Sequence, residues 1–267
     1  MCERERDRVE SCVEMRMSDY ISRMGVADIE LHPNIETLSR LQRAHLLTVP
    51  FENLDIHWKL PIVLDEEKLF AKIVSDRRGG FCYELNGLFN VLLRSIGFET
   101  RLISARVFNG KEFGPEFDHM AIIATIDGDD YLADVGFGSF TAEPLRFVPD
   151  VEQSDPEGVF VIRKFDDKYL EVAKRVDDAW IPEYIFRDMA HQLSEFEEMC
   201  DFQQYSPDSH FKKGKLCSIM TETGRKTLSD KSFIVTEKGK KIETPVDSES
   251  EFYSVLEREF SIAPARV

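Results

Sequence analysis

Three residues in the middle of the chain could together perform nucleophilic chemistry, and the first is Cys82. It follows Gly79 and Gly80 and falls in the first turn of a predicted helix, where unpaired N–H groups and the helix dipole favour a thiolate. The two glycines permit a sharp turn and the close approach of another backbone or a ligand, and Arg77 and Arg78 add positive potential. A free cysteine is more often a small buried hydrophobe. For Cys82 taken alone, both interpretations stay open.

The geometry of a predicted hairpin places a base, His119, near an orienting carboxylate, Asp134. Asp127-Gly128 lies between two alternating apolar runs, which indicates a tight turn. With these two residues in the turn, Asp134 lies opposite Ala121 and is the diagonal neighbour of His119, at a backbone separation of roughly 7 to 8 Å. Such a pair fixes the imidazole tautomer and leaves its other nitrogen to take a thiol proton. A one-residue register slip would put His119 and Asp134 on opposite faces.

Simpler roles exist for each of these residues. His119 alone could be a hydrogen-bonded strand residue, and Asp134 alone could cap a strand end. Together with Cys82 they follow the order Cys, His, Asp of papain-like and transglutaminase-like enzymes. The next residues, 134–138, read DVGFG: the glycines can offer amides to a ligand, or Phe137 can be a core aromatic beside a turn. The remaining histidines have no comparable context and are predicted to be structural: His32, His45, His57, His191 and His210.

The elements that must position these residues change from helix to strand near Gly97. Apolar residues at helical spacing predict helices over 36–48, over 65–75 with Asp65 as cap, and from Phe81 to a cap at Gly97. Alternating residues then predict strands over 100–108, 119–126 and 131–135. Further along, the sequence predicts a helix over 189–198, a hairpin at 237–240, and a helix over 249–259 capped by Asp247 or Ser248.

Composition narrows the class of protein. The 267 residues are 42% hydrophobic and 31% charged, which is typical of packed subdomains with a sizeable core. A formal charge of -16 argues against a nucleic-acid partner. The five cysteines are scattered without a C-x-x-C pair, so neither a disulfide framework nor a metal site is predicted. There is no apolar run of membrane-spanning length and no secretory signal pattern, so we expect no membrane association and a cytoplasmic location.

Three motifs closely resemble those of the arylamine N-acetyltransferase family. Residues 49–55 (VPFENLD) are similar to its early motif, 78–86 (RGGFCYELN) to its cysteine motif and 134–138 (DVGFG) to its aspartate motif. The match extends over nearly the whole chain from Met17. The resemblance implies a ping-pong reaction in which acetyl-CoA acetylates Cys82, CoA leaves, and an arylamine, arylhydroxylamine or hydrazine takes the acetyl group.

The resemblance also implies roles for individual residues. Cys82 would be the acetylated nucleophile, His119 its base and later proton shuttle, and Asp134 the orienting carboxylate. Five further residues would touch the substrates: Phe51 and Phe137 in the acceptor pocket, and Gly136, Gly138 and Phe202 near CoA. No metal is implied.

The implied fold is α+β, with a cysteine-protease-like catalytic core. A helical bundle over 17–98 would carry the nucleophile, and a central antiparallel β-barrel over 99–200 would carry the histidine and aspartate. Residues 201–267 would form an interdomain segment and an α/β lid. Residues 1–16 are predicted to be an N-terminal extension.

Two rival functions remain open from the residues. A Cys-His-Asp triad does not decide whether water or an amine resolves an acyl-enzyme, so a thiol hydrolase is one rival. A CoA-binding protein that has lost turnover is the other, and the presence of all three triad residues argues against it.

Overall fold

The computed structural model describes residues 17–26 and 30–264, and its N-terminal part is helical. The predicted extension over 1–16 lies outside the described residues. The helices here are α1 over 17–23, α2 (Ile35–Thr48), α3 (Leu54–Trp58), α4 (Glu66–Phe70) continued by a π-helical turn (Ala71–Ser75), and α5 (Cys82–Ile96).

The boundaries of these helices follow from their capping residues. The Asn34 side chain accepts a hydrogen bond from the backbone of Thr37, and the Asp65 side chain caps α4 in the same way. Gly97 ends α5 in the left-handed region, with φ of 103°. The three helices predicted from the sequence are therefore confirmed, except that the second one changes from α to π geometry after Phe70.

The central part of the chain is an antiparallel sheet of eight strands, in the order β5-β4-β3-β2-β9-β8-β7-β6. Its members are β2 (Glu99–Val107), β3 (His119–Ile126), β4 (Asp129–Ala133), β5 (Leu145–Arg146), β6 (Glu152–Asp155), β7 (Gly158–Lys164), β8 (Leu170–Val176) and β9 (Ala179–Phe186).

This sheet curls into a nearly closed barrel. Its two edge strands meet where the Gln153 side chain accepts a hydrogen bond from the backbone N–H of Arg146 and donates one to its carbonyl. One face of β3 fills the barrel interior with Ala121 and Ile123, and the opposite face packs on α5. Both faces of β3 are thus buried, which fixes its register.

The β3–β4 hairpin has the predicted turn and register. Ile126 pairs with Asp129 and Ile122 with Ala133, on either side of Asp127 and Gly128. The predicted strand over 131–135 is displaced, because pairing begins directly after the turn and stops at Ala133. Asp134 therefore follows the strand rather than lying within it.

The C-terminal part forms a second sheet, in the order β1-β10-β11-β12-β13, which packs on the last helix. Its strands are β1 (Phe51–Glu52), β10 (Leu216–Thr221), β11 (Gly224–Ser229), β12 (Ser232–Glu237) and β13 (Lys240–Pro245), and the helix is α7 (Glu249–Phe260). The predicted turn at 237–240 joins β12 to β13, and Ser248 caps α7. One strand of this sheet, β1, comes from the helical part of the chain.

The helix predicted over 189–198 begins and ends later in the chain than predicted. Instead, a 3₁₀ turn (Leu193–Phe196) leads into α6 (Glu197–Tyr205). Residues before the turn cannot be helical, because the backbone N–H of His191 donates to the carbonyl of Leu102 in β2. Gln192 and Glu195 then form the capping box that starts the turn.

Within the two described ranges, no helix is both long and apolar enough to cross a membrane.

Candidate active site

Cys82 is the first residue of α5 and is only 3% exposed. The Glu84 carboxylate accepts a hydrogen bond from the backbone N–H of Phe81 and so caps the helix. A side chain at position 79 would bring a Cβ to 1.9 Å from the carbonyl oxygen of Pro50, so only glycine fits there. Gly79 therefore serves the close approach of the chain's own backbone, which was one of the two possibilities predicted, and Gly80 leaves room for the Glu84 side chain.

A buried ionic network fixes the segment before Cys82. Arg78 pairs with Glu52 at 2.6 Å and with Asp55 at 2.8 Å, and Lys72 pairs with Asp55 and Glu84, each at 2.7 Å. The positive charge of Arg78 is thus compensated by two carboxylates. These ion pairs offset the positive potential expected from Arg78, and they position the loop before Cys82.

His119 and Asp134 are in direct contact, as the hairpin geometry predicted. Nε2 of His119 lies 2.7 Å from Oδ2 of Asp134, and both side chains are nearly inaccessible to solvent. A carboxylate accepts hydrogen bonds only, so the proton of the neutral imidazole lies on Nε2. Nδ1 is then the nitrogen that can accept a proton.

Asp134 is held by three further donors. The side-chain amide of Asn86 and the backbone N–H of Gly136 donate to Oδ1 at 2.8 and 2.9 Å, and the Tyr184 hydroxyl lies 3.5 Å from Oδ2. Sequence reasoning assigned no role to Asn86 or Tyr184. Asn86 stands four residues after Cys82 on the same helix face, a spacing that could have identified it. Tyr184 lies on β9, and no local signal connects it with the hairpin.

Gly136 brings the aspartate segment against the start of α5. A Cβ at this position would lie 2.7 Å from the Cα of Cys82 and 2.7 Å from Nδ2 of Asn86. Any larger residue would therefore push the hairpin away from the nucleophile.

Burial raises the pKa of the Cys82 thiol well above its usual value, and the charges of Asp118 and Asp134 raise it further. A backbone hydrogen bond from Met120 opposes this increase. Cys82 has the predicted position at a helix start, which favours a thiolate, whereas burial and the two carboxylates oppose it. The thiol has to lose its proton to a neighbouring base as it reacts.

One cavity of about 400 Å³ contains Cys82 and His119 in its wall. Four of the five predicted substrate-binding residues also line it: Phe51, Gly136, Phe137 and Gly138. Phe202 does not, because it lies on α6 and is 40% exposed. Phe211 lines the cavity instead and packs against Phe51 and Phe81, with ring centroids 6.2 and 5.6 Å apart.

The cavity wall also includes Asp118 and His210, which were not predicted as site residues. Burial raises the pKa of Asp118, while the charges of His210 and His119 oppose the increase. Burial lowers the pKa of His210, and Asp118 opposes that decrease. His210 was predicted to be structural, and a short 3₁₀ turn (His210–Lys212) places it in the cavity wall.

The chain is similar to a known protein family and to characterised relatives. A family model described as N-acetyltransferase matches residues 34–266. An arylamine N-acetyltransferase of Mycolicibacterium smegmatis is 32% identical over 256 residues, which cover 93% of this chain and 92% of that protein.

Solved structures whose fold is similar to that of this chain include two arylamine N-acetyltransferases. The arylamine N-acetyltransferase from Salmonella typhimurium superposes with a TM-score of 0.86 at 29% identity, over 92% of this chain and 91% of that one. An arylamine N-acetyltransferase from Bacillus cereus, described as having a Cys-His-Glu catalytic triad, gives 0.86 at 28% identity, over 93% and 99% of the two chains.

Proposed function

The chain belongs to the N-acetyltransferase family, and from that premise we propose that Cys82, His119 and Asp134 carry out its acetyl transfer. Its activity is that of an arylamine N-acetyltransferase. The observation that carries the assignment of the triad is the 2.7 Å contact between His119 and Asp134 in the cavity wall that also contains Cys82.

In the first half-reaction, Nδ1 of His119 accepts the proton of the Cys82 thiol as the sulfur attacks the acetyl carbonyl of acetyl-CoA. A bond forms between the Cys82 sulfur and the acetyl carbon, and the bond from that carbon to the CoA sulfur breaks. The departing CoA thiolate takes the proton from His119. Because burial raises the pKa of the Cys82 thiol, the cysteine depends on this neighbouring base to lose its proton.

In the second half-reaction, the amine of the acceptor attacks the acetyl-cysteine. His119 accepts a proton from the amine nitrogen and returns it to the Cys82 sulfur as the thioester breaks. Asp134 stabilises the positive imidazole that exists between these steps. Free thiol and neutral His119 are restored, so the cycle closes.

The apolar part of the cavity suits an aromatic acceptor. Phe51, Phe137 and Phe211 all face it, and aromatic rings pack well in edge-to-face contacts with such walls. Arylhydroxylamines and hydrazines share the nucleophilic nitrogen and belong to the same proposal. We place the CoA chain beside Gly136 and Gly138. A cytoplasmic location, where thiols stay reduced, suits the free nucleophilic cysteine.

A thiol hydrolase would use the same triad, so partition of the acyl-enzyme tests the function. Purified protein is acetylated with acetyl-CoA, freed of excess donor, and followed in buffer with and without aniline. We expect the acetyl group to leave far faster with aniline and to appear on its nitrogen. Equal rates of loss would contradict the transferase function and indicate hydrolysis.

A further inference from the structure

A positively charged residue that forms no ion pair within residues 17–26 and 30–264 lines the active-site cavity. Arg225 on β11 donates from Nη1 to the hydroxyl of Ser218 at 3.3 Å. Its Nε is buried and has no hydrogen-bond partner among the described residues. The charge of Glu157 acts on Arg225, but the two form no ion pair.

Among the described residues, Arg23 also has a buried Nε without a hydrogen-bond partner, but Arg23 does not line the active-site cavity. Arg78, which like Arg225 is partly buried, has two carboxylate partners, and Arg163 pairs with Glu171. A buried cation without an anion is costly, and an unsatisfied buried donor calls for an absent partner. Burial lowers the pKa of Arg225, which is the physical sign of that cost. Arg225 as a whole is partly exposed, so its guanidinium can meet an anion that enters the cavity from solution.

Two hydroxyls complete an anion-binding surface around Arg225. Ser218 pairs directly with Thr227 across the β10–β11 hairpin, and their hydroxyl oxygens are 2.9 Å apart. Arg225 and Thr227 are two residues apart on β11, so their side chains share the face that lines the cavity. Lys226, between them, points to the other face and pairs with Glu259 of α7 at 2.9 Å.

This surface and the reacting cysteine line the same cavity. Ser218 pairs with Phe51, which in turn bridges to Gly80, two residues before Cys82. Two strand spacings therefore separate Ser218 from Gly80, or roughly 10 Å. Apolar side chains, including Phe51 and Phe211, fill the wall between them.

We propose that Arg225, together with Ser218 and Thr227, binds a carboxylate on the acceptor, so that the preferred acceptors are aromatic amines carrying an acid group opposite the amine. This inference rests on the proposed function. Asp118 in the same cavity disfavours the reverse orientation, because its carboxylate would repel that of the acceptor. The phosphates of CoA are less suitable, because the whole pantetheine arm separates them from the acetyl sulfur.

The test compares two acceptors of similar shape, para-aminobenzoate and para-toluidine, at saturating acetyl-CoA. The measured quantity is the ratio of their kcat/KM values. We expect the wild type to favour para-aminobenzoate, and Arg225→Met to lower the ratio by about 10- to 100-fold, the range for a lost charged hydrogen bond. Lys226→Met is the matched control: it removes the same charge one residue away, and the wild-type ratio should remain.

Three results would overturn the inference. The first is a wild type that acetylates para-toluidine without preferring para-aminobenzoate, and the second is an unchanged ratio in Arg225→Met. The third is an Arg225→Met variant that has a raised KM for acetyl-CoA and reacts normally with para-nitrophenyl acetate, a donor without phosphate. That third result would assign Arg225 to the CoA phosphates.

Failure of the proposed function would look different, because the wild type would then acetylate neither acceptor. If Arg225→Met does not fold, Thr227→Val serves in its place, since it removes only a hydroxyl from the same face. We expect it to lower the acceptor ratio severalfold, and an unchanged ratio would again count against the inference.

Discussion

Asp134 determines which nitrogen of His119 faces the cavity. Two donors, the Asn86 amide and the Gly136 backbone N–H, require an acceptor at Oδ1. Oδ2 is also an acceptor, and it receives the hydrogen bond from Nε2 of His119. Nδ1 of His119 is then left without a proton and can act as the base. These three contacts of the Asp134 carboxylate thus determine which nitrogen of His119 accepts the proton in the proposed mechanism.

Asp134→Asn tests this directly. The two donors at Oδ1 hold the amide oxygen there, so the new NH₂ group faces His119 and demands the tautomer with the proton on Nδ1. The proposed base is then lost, and we expect kcat/KM to fall roughly a thousandfold or more. Tyr184→Phe is the control, since it removes only the contact at 3.5 Å and should cost less than about tenfold. Wild-type turnover in Asp134→Asn would exclude the orienting role.

At the scale of elements, α5 and the β3–β4 hairpin could be predicted from local sequence. Their apolar periods, the cap at Gly97 and the turn at Asp127-Gly128 act between near neighbours in the chain. The start of α6 could not be predicted, because it depends on the backbone bond of His191 to a distant strand. Tertiary contacts overrode the local pattern there.

A buried histidine lies where α2 packs against α1 and α5, and it makes the stability of the fold sensitive to acid. His45 lies between Tyr20 and Phe89, and neither ring nitrogen has a hydrogen-bond partner among the described residues. Burial, followed by the charge of Arg23, lowers the pKa of His45 to about 3. The unfolded chain, with a pKa near 6.5, binds the proton first as the pH falls. His45 therefore destabilises the fold progressively below that value.

His45→Phe should remove this sensitivity. Between pH 6.5 and 4.5, the histidine accounts for a loss of about 2.3 kcal/mol in the free energy of unfolding. Urea unfolding at both pH values should show a correspondingly smaller loss in His45→Phe. The control is His32→Phe, because the His32 side chain is 63% exposed and its one ion pair, with Glu30, is at the surface, where such pairs contribute little to stability. An equal loss in all three proteins would contradict the account.

At the scale of the whole molecule, the cavity exists only where three parts of the chain meet. The helical part supplies Cys82, the barrel supplies His119 and Phe137, and the C-terminal sheet supplies Arg225. Motifs and hairpin register predicted the first three of these. The pairing of Phe51 with Ser218, which brings in the C-terminal sheet, joins residues far apart in sequence and leaves no local signal. For that reason Arg225, His210 and Phe211 escaped prediction.

The most direct test of the central claim is the mass of the peptide containing Cys82 after the protein is mixed with acetyl-CoA. The account predicts a gain of one acetyl group on Cys82, which disappears when an aromatic amine is added as the acetylated amine forms. Cys82→Ser should gain nothing and form no product. A protein that acetylates the amine while Cys82 stays unmodified at every time point would contradict the proposed mechanism.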